Sequence, residues 1–312
     1  MEKKVLIFGV GGFVGAYLAK EFHDNAYEVF GSDINKTSSI QDFVDFSENN
    51  ILNSKSIKEF IKKIQPTHIV NLAAISSVEL SWKIPEKTIA VNVEGTLNIL
   101  EAAKECIVLP KILLIGSSEE YTISKDPIDE QYEINANNPY GISKVVQERF
   151  AGLYRKRYDM KIYYVRAFNH TGIGQADAFV IPSWCKQAAE ISKSGKPGTM
   201  LVGNLSTKRD FSDVRDIVRA YRMVIESNDC TPIYNVGFGS AVALQDILNY
   251  IISLSEQPIT VMTDPERFRP VDNLVVCCNN SYIEKELGWK PNYSIFETVK
   301  EMFEYYLNQT GG

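Results

Sequence analysis

Residues 4–9 (KVLIFG) are an unbroken apolar run closed by glycine, the pattern of a short strand buried on both faces. A helix-period stretch follows at 13–23, and then a second run, YEVFGS, at 27–32. The alternation continues with a helix near 54–64, HIVNLAA at 68–74, a helix over about 86–105 and KILLIGSS at 111–118. Asn138-Pro139 places an N-cap residue and a first-turn proline ahead of a helix reaching about Tyr158. KIYYVRAF at 161–168 closes the series. Strands alternating with helices over this length predict an α/β fold, a Rossmann-like, doubly wound parallel sheet with right-handed crossovers.

Beyond Phe168 the rhythm changes, because glycine and proline at 172, 174, 182, 195, 197 and 198 cut the pattern into shorter pieces. Helical patterns recur near 183–193, 213–227, 243–255 and 294–307, with the short strands MLVG and PIYNVG between them. Two domains are expected: residues 1–168 as the first, and 169–312 mainly as a smaller C-terminal α/β domain, with some segments returning to the main sheet. There is no internal repeat and no low-complexity linker.

Composition narrows the classes. The 312 residues carry 39 acidic against 33 basic side chains, a net charge of −6, which argues against a nucleic-acid partner held by clustered cations. No apolar run approaches the roughly 20 residues of a membrane span. Lys3 and Lys4 ahead of the first apolar run imitate a secretory signal, but four glycines interrupt it and no cleavage site follows. Five scattered cysteines and three distant histidines lack zinc-site spacing, so no metal is expected. An odd thiol count also suits a reducing cytoplasm.

Gly9, Gly12 and Gly15 form G-x-x-G-x-x-G between the first strand and its helix. Glycines there permit a tight turn and bring backbone N–H groups close to a pyrophosphate at the positive end of the helix. Asp33 ends the second strand 18 residues after Gly15, where an acid accepts from adenosine ribose hydroxyls and repels a 2′-phosphate. The combination points to a dinucleotide, with NAD(H) favoured by Asp33. NADP(H) stays open, since Asp33 turned outward would let Lys36 meet a phosphate.

Y-x-x-x-K occurs at Tyr121/Lys125 and at Tyr140/Lys144. With 16 tyrosines one chance match is expected, so position decides. Tyr140 and Lys144 share a helix face behind Asn138-Pro139, whereas Tyr121/Lys125 lies in a polar stretch that Pro127 keeps from being helical. A tyrosine beside an ammonium and an oxidised nicotinamide has its phenolate stabilised and its pKa lowered toward the working pH, which suits acid–base work at a carbonyl or carbinol. Ser117, at the C-terminal end of its strand, lies where open parallel sheets bind ligands and offers a hydroxyl to the reacting oxygen.

The glycine loop, NLAA at 71–74, Ser117 and Tyr140/Lys144 together resemble the extended short-chain dehydrogenases/reductases that act on nucleotide sugars, the NAD-dependent epimerase/dehydratase family. RAFNHTGIGQ (166–175), VGNLSTKRDFSDVRD (202–216), YNVGFGS (234–240) and DPERFRP (264–270) are similar to GDP-mannose 4,6-dehydratase and, more closely, GDP-4-keto-6-deoxymannose reductase. The resemblance covers nearly the whole chain. It implies Ser117, Tyr140 and Lys144 as the catalytic set, in an NAD(P)-binding first domain and a nucleotide-sugar-binding second one. It sets the cofactor against Gly9, Gly12, Phe13, Val14, Gly15 and Asp33, then Asn50, Ile51, Leu72, Ala73 and Ala74, with Tyr140 and Lys144. It puts the substrate near Ser76, Ser117, Ser118 and Val180, its diphosphate on Asn169, Lys186, Arg209 and Arg269, and its base against Val202 and Asn204. A homodimer through the helices at about 86–105 and 139–158 is also implied, although their apolar stripes would serve equally as core.

Hydride exchange at sugar C4 is common to both activities. Glu119 sits where dehydratases carry the acid–base glutamate that removes water across C5 and C6. Against a dehydratase, position 117 is serine rather than threonine, and VRAFNHTGIGQ and DVRDIVRAY resemble the reductase. Thr122, where relatives have glycine, and Asn50, where many have an aspartate, depart from the pattern. The reading is a C4 ketoreductase, with the dehydratase next, a C4 epimerase third and a non-catalytic NAD sensor last.

Overall fold

The apolar runs become central strands because both of their faces are covered: Val5, Leu6, Ile7 and Phe8 are all fully buried. The computed structural model describes residues 2–122, 124, 126–230, 233–265 and 274–309. In chain order the strands are β1 (Lys4–Phe8), β2 (Glu28–Asp33), β3 (Asp45–Glu48), β4 (His68–Asn71), β5 (Lys111–Ser117) and β6 (Ile162–Ala167). There follow β7 (Asn169–Thr171), β8 (Gly198–Val202), β9 (Lys208–Asp213) and β10 (Ile233–Val236). A seven-stranded sheet runs in the order β10-β6-β5-β4-β1-β2-β3 with every pair parallel, the Rossmann-like arrangement.

Period-two alternation sorts its side chains into two layers. Val5, Ile7, Leu113 and Val165 join one core under α1 (Phe13–Asp24), while Leu6, Phe8, Ile112 and Leu114 join another under α2 (Ser54–Ile64). The helices continue as α3 (Val78–Lys83), α4 (Pro85–Ile89), α5 (Gly95–Ala103), α6 (Pro139–Tyr158), α7 (Val180–Ser194) and α8 (Val214–Glu226). Among the described residues no helix is long and apolar enough to cross a membrane.

Past β6 the chain builds two smaller sheets: β9 pairs with β7, β11 (Ala241–Ala243) and β13 (Val275–Val276), and β8 pairs with β12 (Ile259–Thr263). A third core gathers Trp184 of α7, Met200 of β8, and Ile247 and Val299 of the helices at 244–253 and 295–308. The chain also returns to the main sheet, where β10 pairs with β6.

Three local expectations change. The strand expected at 68–74 ends at Asn71, whose side-chain oxygen accepts the Ala73 N–H at 3.1 Å and turns the chain. The single helix expected over 86–105 is broken into α4, a π-helical turn at Ala90–Glu94 and α5, and α3 precedes it unforeseen. β9 was missed because KRDFSD reads as polar, yet Arg209 to Asp213 are all buried.

The glycine loop is fixed by backbone geometry. Gly9 has φ +81°, and a Cβ there would stand 2.8 Å from the Ala73 nitrogen. Gly9→Ala should therefore lower stability by about 1–3 kcal/mol. Gly152, mid-helix in α6 with open space around it, should gain up to about 1 kcal/mol as alanine. Denaturant titration of both variants checks this, and equal midpoints would refute it.

Candidate active site

The first turn of α1 opens on Gly12, which offers no side-chain cap, and no acid lies in that turn. Its N–H groups thus face an anion position with nothing from the chain competing for it. Gly15 is needed for packing: a Cβ there would stand 2.4 Å from the Gly9 carbonyl oxygen. Phe13 and Val14, expected at the cofactor, pack on the core beneath this loop. Asp33 points at the loop, accepting the Gly11 N–H at 3.0 Å and the Ile34 N–H at 2.7 Å. Thr37 and Ser39 close the same edge by donating to the Gly11 carbonyl at 3.1 and 2.9 Å. An uncapped glycine turn beside a fixed carboxylate fits a dinucleotide. Leu72, Ala73 and Ala74 follow β4 against Gly9, and Ile51 is buried against Gly95, while exposed Asn50 turns its side chain onto the Leu52 N–H.

Ser117, Tyr140 and Lys144 come together at the C-terminal edge of β5. Asn138 caps α6 by accepting the Gly141 N–H at 2.8 Å, and this aims the first two turns of the helix at that edge. Lys144, buried, donates to the Ile115 carbonyl at 2.7 Å and to Gln147 Oε1 at 3.3 Å, and its Nζ lies 5.8 Å from the Tyr140 ring centre. The Ser117 side chain lies beside the Tyr140 hydroxyl and accepts the Glu119 N–H at 3.2 Å. Burial pushes the Lys144 amine down to about 8. Burial also drives the Tyr140 phenol up, opposed by the Ser117 side chain, with Glu119 and Glu120 adding to the rise. The protein alone therefore holds the tyrosine as the neutral acid.

Glu119 follows Ser118 on the single turn after β5, and Asn138 Nδ2 donates to its Oε2 at 2.9 Å. The turn presses against α6 so closely that a Cβ on Gly141 would stand 2.3 Å from the Glu119 carbonyl oxygen. Tyr121 is buried, its hydroxyl donating to Asn235 at 2.7 Å, and Lys125 lies outside the described residues.

Asn92 was not foreseen. From the π-helical turn it accepts the Ile75 N–H at 2.8 Å, donates to the Ile75 carbonyl at 3.1 Å and reaches Ser143 Oγ at 2.8 Å. It ties the loop bearing exposed Ser76 to α6. The available signal was a polar residue in an otherwise apolar helical stripe, VNVEGTLNIL.

The expected substrate residues are more dispersed. Asn169 lies on β7 and Arg209, buried, on the adjoining β9, paired through Asn169 and Phe211. Val202 ends β8 inside the third core, and Asn204 folds onto the Ser206 N–H at 3.0 Å. Val180 starts α7. Lys186, nearly two turns further, is engaged by Asp177 at 2.6 Å on the surface. Arg269 lies outside the described residues.

A family model described as GDP-mannose 4,6 dehydratase matches residues 6–302. The GDP-6-deoxy-D-mannose reductase of Pseudomonas aeruginosa is 27% identical over 238 residues, covering 75% of this chain and 78% of that protein. A GDP-mannose 4,6-dehydratase of Vibrio cholerae serotype O1 is 26% identical over 357 aligned positions, covering 99% and 95%. The structure of RMD from Pseudomonas aeruginosa, complexed with NADPH, matches with a TM-score of 0.83 at 23% identity over 98% of both chains.

Asn138 joins the two halves of the site, so its replacement separates two effects. Asn138→Ala should cost about 1–2 kcal/mol through the lost cap, and Asn138→Ser should recover most of it. Equal denaturation midpoints for the two variants would rule the cap out.

Proposed function

We infer that this chain, which belongs to the GDP-mannose 4,6-dehydratase family, reduces the C4 keto group of a GDP-4-keto-6-deoxyhexose. Membership makes it an NAD(P)-dependent nucleotide-sugar enzyme of the extended short-chain dehydrogenase/reductase type. The observation that carries the finer reading is the Ser117–Tyr140–Lys144 arrangement, in which a half-buried, neutral tyrosine stands ready as an acid beside a buried amine.

A bound nicotinamide dinucleotide supplies the hydride. The chain's part is to hold the sugar and deliver a proton. Tyr140 gives its hydroxyl proton to the C4 oxygen, and Ser117, beside that hydroxyl, helps to direct it. The phenolate left behind is stabilised by the Lys144 ammonium. Arg209, with Asn169 on the neighbouring strand and Arg269, clamps the diphosphate, as guanidinium groups do bidentately. Asp33 is read as selecting NADH, since its carboxylate, fixed on Gly11, repels a 2′-phosphate. A dehydratase is the second reading, favoured by Glu119, whose carboxylate stands near enough to Tyr140 to raise its phenol.

The assembly belongs to the same reading. A groove of about 570 Å³ lined by Pro85, Ile89, Val93 and Leu97 opens beside α4 and α5. Ile142 and Leu153, eleven positions apart and so on one face of α6, are exposed. A homodimer through these helices would cover both.

The decisive assay follows reduced-nicotinamide absorbance with GDP-4-keto-6-deoxymannose and either NADH or NADPH. A stoichiometric fall, faster with NADH and slowed at least about 10²-fold by Tyr140→Phe, is expected. No fall in either cuvette with folded protein, together with loss of water from GDP-mannose, would replace the reductase by the dehydratase. Sedimentation equilibrium should show twice the 35.2 kDa chain mass, and a monomer after Leu153→Glu. A wild-type monomer at micromolar concentration would refute the dimer.

A further inference from the structure

Directly behind the reacting groups lies a carboxyl that the mechanism above does not use. Glu120 is fully buried. Its Oε1 accepts the Ser117 N–H at 2.7 Å and the Tyr164 hydroxyl at 3.2 Å, and Tyr164 in turn reaches the Lys144 carbonyl at 2.9 Å. Room for it comes from Gly116, where a Cβ would stand 2.2 Å from Oε1. Its Oε2 receives no hydrogen bond.

The nearest cation, Arg166, forms an ion pair with Glu120 but gives its hydrogen bonds to other groups. Arg166 gives its Nε and a terminal nitrogen to Glu148 at 2.9 and 2.7 Å and another to the Tyr121 hydroxyl at 2.7 Å. Its Nε is 3.7 Å from Glu120 Oε2, beyond hydrogen-bond range. Lys144 is held by Ile115 and Gln147. Glu148 takes hydrogen bonds from the Arg166 guanidinium, so two acids share one cation in a buried space and a proton retained on Glu120 relieves the pair. The other titratable groups around it are Tyr140 and Lys144 on α6, Tyr164 on β6, Glu119 and Tyr121 on its own turn, and Glu130 beyond Arg166.

We propose that Glu120 is a positioning residue that works as the neutral acid, holding the turn that bears Ser117 and Glu119 without setting a negative charge beneath Tyr140. Its carbonyl oxygen takes the two donors at Oε1, and its O–H is given to Glu148. Desolvation and the Glu148 charge agree, both raising its carboxyl well above the ordinary range. Ionisation adds a negative charge that resists proton loss from Tyr140. The proposal rests on Ser117, Tyr140 and Lys144 being the reacting groups.

Infrared difference spectra of wild type and Glu120→Gln, without substrate, test the protonation state whatever the reaction proves to be. A protonated-carboxyl C=O band at neutral pH, lost on alkalinisation and absent from Glu120→Gln, is expected. No such band would overturn the proposal. The kcat profile, taken on whichever sugar conversion the protein catalyses, should fall in wild type as that band disappears and should lack this component in Glu120→Gln. Lys144 titrates in both proteins, so identical profiles would overturn the positioning role. Glu120→Leu, which cannot accept from Ser117, should lose kcat by about tenfold with KM within about twofold. A rise in KM with kcat unchanged would contradict it, and if that variant does not fold, the glutamine comparison decides.

Discussion

The burial of the Lys144 amine under the C-terminal edge of β5 is the constraint around which the site is built. Moving the amine from its ordinary range to about 8 corresponds to about 3 kcal/mol, a cost borne in full below that pH and relieved as the medium becomes more alkaline. The fold tolerates it because polar partners are brought in from three elements. The Ile115 carbonyl comes from β5, Gln147 from the next turn of α6, and Gln147 is itself held by Thr96 of α5 at 2.9 Å. Thr96 also accepts from Asn71 at the end of β4 at 3.0 Å. One buried amine thus fixes the relation of β4, β5, α5 and α6, which determines where Tyr140 and Ser117 point.

Glutamates complete that arrangement from below. A site that must move a proton between a phenol and a carbinol works best when nothing nearby holds the phenol permanently ionised or permanently neutral. Burial alone drives Tyr140 toward the neutral form, and each unpaired carboxylate near it adds to the effect. Here Arg166 hydrogen-bonds Glu148, Asn138 holds Glu119, and Glu120 shares the Arg166 guanidinium with Glu148 while its Oε2 receives no hydrogen bond. Burial first, and then the charges of this shell, set the acidity of Tyr140.

Much of this was legible in the chain. Asn138-Pro139 located the start of α6, and the apolar runs located the inner strands, because caps and two-faced burial are local signals. The rise of the Tyr140 phenol in the protein alone was not legible, since sequence spacing shows the neighbouring lysine but not the desolvation both groups suffer. Glu120 was invisible for a related reason. An acid beside Glu119 in SSEEY reads as a solvated turn, and only the space left by Gly116 and the donors from Ser117 and Tyr164 show that it is internal.

The C-terminal half was less legible because its order comes from long-range polar contacts. Asp210 on β9 is fully buried and accepts the N–H groups of Phe238, Gly239 and Cys278 at 2.8 to 3.0 Å, joining the loop after β10 to the strand at 275–276. Burial still pushes its carboxyl up to about 6, against those donors. Alternation along β9 sends Arg209 to the face opposite Asp210. The aspartate therefore fixes the strand, and the strand fixes the arginine. In KRDFSD the two residues look like an ordinary charged pair, yet adjacency along a strand sets them on opposite faces, so the aspartate anchors the scaffold and the arginine is directed to the other side.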